Sequence, residues 1–361
     1  MSRSVLSGRA GRVHRHPRLG YKWGVPEKPP LRFGVLGAAR IAPSALITPA
    51  RDLPAAEVVA VAARDEQRAR KFARKHGIER VHTGYQDLIE DPGVDAVYIP
   101  LPNSLHGRWT MAALKAGKHV LCEKPFTANA AEARRVAGAA LGSGLVVMEA
   151  FHYRYHPLFR RAVEIVASGE LGVISHIETA LCFPLPRFSD IRYRFDLAGG
   201  ALMDAGCYAV HMARTLGLAA AEGEPEVVAA QPRMRGEDVD RAMRADLRFP
   251  AGHTGRVHCS LWSKSLLRIS ATVRGDRGEL SILNPIMPQA VHRLTVRAGG
   301  HRRVERFDKR GSYSYQLEAF TTAVRHGGPV LTPPADSVAT MAVIDAIYIA
   351  AGLPPRVADA T

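Results

Sequence analysis

The stretch His119-Val120-Leu121-Cys122-Glu123-Lys124-Pro125 decides the fold. Val120 to Cys122 are apolar and read as a short buried strand. Pro125 has no N–H to give a ladder, so the strand stops at Glu123 and Lys124. Lys124 is left at a carboxyl edge, and in an open α/β sheet ligands bind along that edge.

The neighbours on both sides supply the rest of the sheet. Upstream, Asp95-Ala96-Val97-Tyr98-Ile99 is a second buried strand that ends at Pro100-Leu101-Pro102-Asn103. A helix over 106–116 follows, with His106 at its start and Gly117 as its cap. Downstream come a helix at 130–141 and the strand Leu145-Val146-Val147-Met148. Nearer the start, Arg32-Phe33-Gly34-Val35-Leu36-Gly37 is a buried strand ending in glycine, and Ala38-Ala39-Arg40-Ile41-Ala42 opens a helix. Gly37-x-Ala39-x-x-Ala42 stands where a dinucleotide fingerprint has three glycines. The first makes the tight turn, the second lets backbone approach a pyrophosphate, and the third lets the helix pack closely. The strand at 57–63 is followed by Arg64. An acid in that place holds a ribose 2′-hydroxyl, whereas a guanidinium suits a 2′-phosphate. Arg64, close to Arg68 and Arg70, also reads as a solvated helix start, and Asp65 is the nearest acid; both readings stay open. Helices at 66–76 and 85–89 flank a short strand near 78–82. Strands alternating with helices mean right-handed βαβ units and a doubly wound parallel sheet, an α/β Rossmann half.

After a helix at 158–168 the pattern changes. Residues 172–181 read as a long strand, and further strands fit at 226–231, 242–249, 254–263, 269–274, 279–283 and 292–298. Turn signals such as Gly275-Asp276-Arg277-Gly278 separate them. Short connections imply an α+β half with a large open, mostly antiparallel sheet. One face covers a helix at 201–217, and the other is expected to be apolar and to need a cover. On that helix, Asp204, Tyr208 and His211 are four and three apart, which places them on one face. Helices starting at 313 and spanning 336–350 close the chain. The expected divisions are a disordered basic arm at 1–30, a dinucleotide half at 31–149, a substrate half at 150–335, and a terminal helix at 336–355 returning toward the first half.

Composition narrows the class. A chain of 361 residues, 47% hydrophobic and 23% charged, suits two soluble domains. No apolar run reaches the ~18 residues of a membrane span, and no secretory h-region follows the start. Cys122, Cys182, Cys207 and Cys259 have no pairing or metal-ligand spacing and read as reduced thiols of a cytoplasmic protein. Net charge is +15, but residues 1–30 carry seven Lys/Arg against Glu27 alone, so +6 of it lies there. The rest is scattered arginine without a basic stripe, which argues against a specific nucleic-acid partner.

Gly37-x-Ala39, Pro102-Asn103-x-x-His106, Glu123-Lys124-Pro125 and Met148-Glu149-Ala150 follow one another on successive strand ends. The ordered set resembles the Gfo/Idh/MocA family, named for glucose–fructose oxidoreductase and inositol dehydrogenase, from residue 31 to about 355. Residues 148–157 are similar to the joining segment of its NADP-dependent D-xylose dehydrogenases and dihydrodiol dehydrogenases, with His152 departing from that pattern. The resemblance implies hydride transfer between NADP, ahead of NAD, and a sugar-like or cyclic diol substrate. A dihydrodiol dehydrogenase or an anhydro- or keto-sugar reductase is the alternative among enzymes. A non-catalytic dinucleotide-binding sensor is the alternative of another class. It further implies cofactor contacts from Gly37, Ala39, Arg40, Ile41, Arg64, Pro102, Asn103, His106, Glu123 and Lys124, the histidine and asparagine at the nicotinamide ribose. Tyr208 is the implied acid/base, with the Lys124 ammonium lowering its pKa. Asp204 would orient substrate hydroxyls or hold Lys124, and His152, Arg154 and His211 would border the substrate. A homodimer or higher oligomer through the second sheet is expected, and no metal.

Overall fold

The computed structural model describes residues 29–221 and 223–358, so the expected basic arm lies almost wholly outside the described residues. The first half has strands β1 Leu31–Leu36, β2 Ala56–Ala62, β3 Arg80–His82, β4 Ala96–Ile99, β5 His119–Cys122 and β6 Val147–Glu149. Its helices are α1 Thr48–Arg51, α2 Glu66–His76, α3 Tyr85–Glu90, α4 His106–Lys115 and α5 Ala130–Ala140. The sheet order is β3-β2-β1-β4-β5-β6, all parallel. All four residues of β4 are buried, as is β5 apart from half-buried His119, which is what strands covered on both faces require. Parallel register brings the ends of β1, β4 and β5 to one edge, so Gly37, Pro100 and Lys124 lie along one rim. The helix after Gly37 starts later than expected. Ala38 to Ile41 form a turn, and a π-helical turn Pro43–Ile47 then leads into α1.

The second half begins with α6 Pro157–Ala167 and β7 Ile174–Cys182, then α7 Cys207–Ala220. Next come β8 Glu226–Arg235, β9 Val239–Arg248, β10 Thr254–Ser260, β11 Arg268–Gly275, β12 Gly278–Leu283, β13 Arg293–Ala298 and β14 His301–Glu305. The order is β14-β13-β12-β11-β7-β10-β9-β8, antiparallel except for the parallel pair β7/β10. β14 was not anticipated, because His301-Arg302-Arg303 masks its period. Helix α7 lies on the inner face, where Thr179 Oγ1 donates to the carbonyl of Ala209 at 2.8 Å. The expected single helix is instead a π-helical turn, Leu202–Gly206, running into α7. Gly206 permits that close approach, since a Cβ there would meet Leu202 Cδ1 at 2.7 Å and Cys259 Sγ at 2.8 Å.

The outer face corrects another expectation. It carries Glu178, Asp246, Arg244, Arg248, Arg256, Arg268, Arg274, Glu279 and Arg297, with ion pairs Arg256–Asp246 and Arg268–Glu178 across strands. That face is polar, so the argument for a second copy from an uncovered apolar face does not hold.

The chain then crosses back. Helix α8 Ser312–His326 packs on β1, with Phe320 against Phe33 at 5.6 Å between rings. Helix α9 Pro334–Ala350 packs on α5, where Asp345 Oδ2 accepts from the amide of Ala130. Beyond α9, Arg356 pairs with Asp240 at 2.8 Å, both side chains fully buried, and donates to the carbonyl of Gly199. The carbonyl of Arg356 accepts from Asn129 of the first half.

Candidate active site

The turn after β5 is held from several sides. Tyr98 donates to Glu123 at 2.7 Å, and the amide of Phe126 donates to Glu149 Oε1 at 2.8 Å. His106 is buried on α4, with Nδ1 2.7 Å from the carbonyl of Pro125 and Nε2 2.9 Å from that of Leu101. A neutral imidazole has one N–H and serves one of these carbonyls at a time. Burial, which pushes the ring down to about 4, favours that neutral form. The Lys124–Pro125 peptide is cis. Thus His106 is a brace between the strand-4 and strand-5 loops. Both its nitrogens face backbone carbonyls, so its ring is turned to the loops and away from the position expected at a nicotinamide ribose.

The braced turn presents Lys124 to the second half. Its ammonium lies 3.2 Å from Asp204 Oδ1 and 3.0 Å from the Asp204 carbonyl. It also lies 5.1 Å from the centre of the Tyr208 ring. Asp204 receives a further charge from Arg192 Nε at 2.8 Å, and Arg192 is tied to Asp190 at 3.0 Å. Sequence reasoning missed Arg192, because the 183–200 loop has no period and its Arg-x-Arg pattern resembles a solvated surface. Burial raises the Asp204 pKa, but Lys124 and Arg192 outweigh it and keep the group below its ordinary value. Conversely, burial lowers Lys124, and Asp204 more than restores it, leaving the ammonium charged.

Tyr208 departs from expectation. Burial holds its phenol well above the usual value, with Tyr313 and Glu123 adding to the rise. The Lys124 ammonium, 5.1 Å from the ring centre and paired with Asp204, does not bring it back to the usual range. The phenol oxygen instead lies 3.2 Å from His152 Nε2. His152 is buried, with Nδ1 2.8 Å from Ser312 Oγ at the start of α8 and its ring 4.0 Å from that of Tyr313. Burial, reinforced by Lys124, pushes His152 down to about 3, so it is neutral.

Two proposed substrate contacts lie elsewhere. His211 is buried, with Nδ1 2.5 Å from Tyr153 Oη and Nε2 2.8 Å from Asp336. Phe151 stacks on its ring at 4.2 Å and also meets the edge of Tyr208 at 5.3 Å. Both nitrogens are used, so His211 belongs to a buried network with Asp336 and Arg214. The Arg154 guanidinium lies over the ring of Phe159, 5.9 Å away. Asn103 reaches across to the carbonyl of Ala198 at 3.0 Å, a contact that would open if the halves parted.

The rim beside this cluster suits a dinucleotide. Gly37 has φ +105°, and a Cβ there would come within 3.1 Å of Leu101. Ala39, Arg40 and Ile41 follow in the turn, with the Arg40 side chain exposed and 3.6 Å from Asp190 of the other half. Arg64 is exposed beyond β2, and Arg68 hooks back to the carbonyl of Ala38 at 2.9 Å. This gives a small-residue cradle, helical N–H groups beyond it, and an exposed guanidinium just past the end of β2. Pro102 and Glu123 border the same rim from the strand-4 and strand-5 ends. A separate surface hollow of about 450 Å³ lies between α4 and α5, lined by Met111, Ala112, Leu114, Lys115 and Ala139. One ammonium among apolar side chains offers no comparable chemistry.

Residues 31–151 match the model of an oxidoreductase family with an NAD-binding Rossmann fold, Gfo/Idh/MocA, and residues 159–281 match the C-terminal domain model of the same family. The chain is similar to D-xylose 1-dehydrogenase (NADP(+)) 2 of Haloferax volcanii, 40% identical over 88% of this chain and 96% of that protein. It is similar to trans-1,2-dihydrobenzene-1,2-diol dehydrogenase of Sus scrofa, 35% identical over 71% and 75%. Its fold is similar to the crystal structure of a 3-ketoreductase from Actinomadura kijaniata in complex with NADP and TDP-benzene. The TM-score is 0.80 at 32% identity, over 89% of this chain and 98% of that one.

Proposed function

The chain belongs to the Gfo/Idh/MocA oxidoreductase family, and from that premise we propose that it is an NADP-dependent dehydrogenase acting on a hydroxyl-bearing carbon of an aldose-type sugar. The observation that carries the reading is the meeting of Lys124 with Asp204 and Tyr208, next to the Gly37 rim. Bound at Gly37, Ala39, Arg40, Ile41 and Arg64, NADP supplies hydride chemistry. The protein's own task is to hold the reacting carbinol and move one proton. Lys124, charged through Asp204, attracts the substrate oxygen and favours the negative charge that builds on it. Tyr208 takes the proton as a neutral phenol with a neighbour able to accept its own. Asp204 and Arg192 keep the ammonium in place, and His106 and Glu149 keep the turn that carries it.

Similarity to a D-xylose dehydrogenase supports D-xylose as the first substrate, and Arg64 supports NADP over NAD. The test is reduction of NADP⁺ by the purified protein with D-xylose, other aldoses, polyols and dihydrodiols, with NAD⁺ in parallel. Turnover of a pentose or hexose with NADP⁺ is expected. Tight NADP⁺ binding without turnover of any of these, or of keto-sugars with NADPH, would favour the non-catalytic sensor.

A further inference from the structure

Behind Tyr208 a line of hydrogen-bonding groups leads away from Lys124. The phenol oxygen lies 3.2 Å from His152 Nε2, His152 Nδ1 lies 2.8 Å from Ser312 Oγ, and Ser312 Oγ lies 3.3 Å from Gln289 Oε1. Three distant parts of the chain meet in it: the 3₁₀ turn His152–Tyr155, the first residue of α8, and the loop after β12. Tyr208, His152 and Ser312 are buried, whereas Gln289 is only half-buried, so the line runs from the cleft toward solvent.

Its direction follows from hydrogen-bonding capacity. An amide oxygen only accepts, so Ser312 spends its hydrogen on Gln289. Ser312 oxygen then accepts from His152, which fixes the proton on Nδ1 and leaves Nε2 as a bare acceptor. Tyr208 must donate to Nε2. The lone pairs of its phenol oxygen are therefore free on the side of the substrate.

We infer that His152 is a proton-relay residue that works through Tyr208, with Ser312 as its next station and Gln289 as its outlet. This rests on Tyr208 being the acid/base. In the dehydrogenation sense, the substrate O–H bond breaks and its proton binds the Tyr208 oxygen. The phenol's own proton passes to His152 Nε2 as the Nδ1 proton passes to Ser312. The former Ser312 proton leaves to bulk water beside Gln289. One proton enters and one leaves, and the electron pair of the carbinol C–H departs as hydride to NADP⁺. No imidazolium has to persist, which suits a ring in so buried a place.

Two measurements test the relay. Long-range ¹H–¹⁵N correlation at the histidine rings, with His152 assigned by its loss in His152→Gln, reports the tautomer without substrate. The Nδ1–H form is expected in the wild type, and its preference should weaken in Ser312→Ala. An Nε2–H ring would overturn the relay, whatever the activity. The second measurement is turnover of D-xylose with NADP⁺. A glutamine at 152 can accept from Tyr208 and donate to Ser312, so it keeps orientation but cannot pass a proton. His152→Gln should lose about 10²-fold in kcat with NADP⁺ affinity and Tm retained. Near-normal turnover in His152→Gln would reduce His152 to orientation and overturn the relay. Near-normal turnover in Tyr208→Phe would overturn the relay together with the acid/base reading on which it rests, whereas no turnover of D-xylose by the wild type counts against the substrate reading alone, and the tautomer then decides the relay.

Discussion

Replacing Asp204 by asparagine separates the two charges it now holds together. Lys124 and Asp204 side chains are only 15% and 11% exposed, and Arg192 leans on the same carboxylate. Removing one partner of a buried pair costs about 3–5 kcal/mol, because the other charge is left uncompensated. The new amide oxygen still accepts one N–H, worth about 1 kcal/mol, so the net loss should be about 2–4 kcal/mol. For a chain of 361 residues an unfolding entropy of about 2.1 cal/mol/K per residue converts this to a fall in Tm of roughly 3–5 °C. The ammonium should respond as well. Burial already lowers the Lys124 pKa, and Asp204 is the largest force opposing it. Without that carboxylate the pKa should fall. Calorimetry measures the first effect. The pH dependence of Lys124 acylation, quantified by peptide mass spectrometry, measures the second. A Tm within about 1 °C of wild type together with an unchanged acylation profile would refute the reasoning.

Tyr208→Phe should lower D-xylose turnover by about 10²–10⁴-fold with little change in NADP⁺ affinity. Lys124→Met should do likewise. If Lys124 acts on the substrate oxygen directly, the two losses should multiply in the double variant; a double variant no worse than either single one would mean that Lys124 works through the phenol. Arg64→Ser should weaken NADP⁺ binding by about 1–3 kcal/mol and leave NAD⁺ unchanged, and equal losses for both in titration calorimetry would remove Arg64 from the 2′-phosphate. Burial pushes the Glu149 carboxyl up to about 8, outweighing the hydrogen bonds from Ser337 and the Phe126 amide that favour its charged form. The folded state then keeps a proton that the unfolded chain, with a value of about 4.3, releases. This stability is full below the unfolded value and is lost as pH rises toward 8, by at most about 1.4 kcal/mol per unit. Glu149→Gln should flatten that decline in urea unfolding between pH 5 and 8, and an unaltered slope would count against it.

Much of the architecture was legible because apolar period and turn residues act locally. β4, β5 and the Gly37 turn declare themselves within a few residues, and their order alone gives the parallel sheet. Asp204 and Tyr208 were legible as a polar stripe, although the π-helical turn beneath them breaks the regular spacing that justified the reading. The same rule failed for His211. Its ring stacks on Phe151 and its two nitrogens are taken by Tyr153 and Asp336, partners that no helical spacing reveals. The partners of Tyr208 were not legible, because His152 and Ser312 are 160 residues apart and meet only through packing. The Tyr208 pKa was misjudged for a related reason. Burial and the nearness of Tyr313 and Glu123 are properties of the folded interior, absent from any spacing.

The return of α8 to β1 has a consequence for biosynthesis. Phe33 leaves the ribosome early, yet the ring that covers it, Phe320, is translated almost three hundred codons later. The nascent dinucleotide half therefore waits with part of its apolar surface bare while the whole second half is made. A truncated transcript that stops at the end of β6 would encode a protein with that surface permanently open. Expression of the first half alone should yield an insoluble or chaperone-bound product, and adding the α8 segment in trans should rescue it.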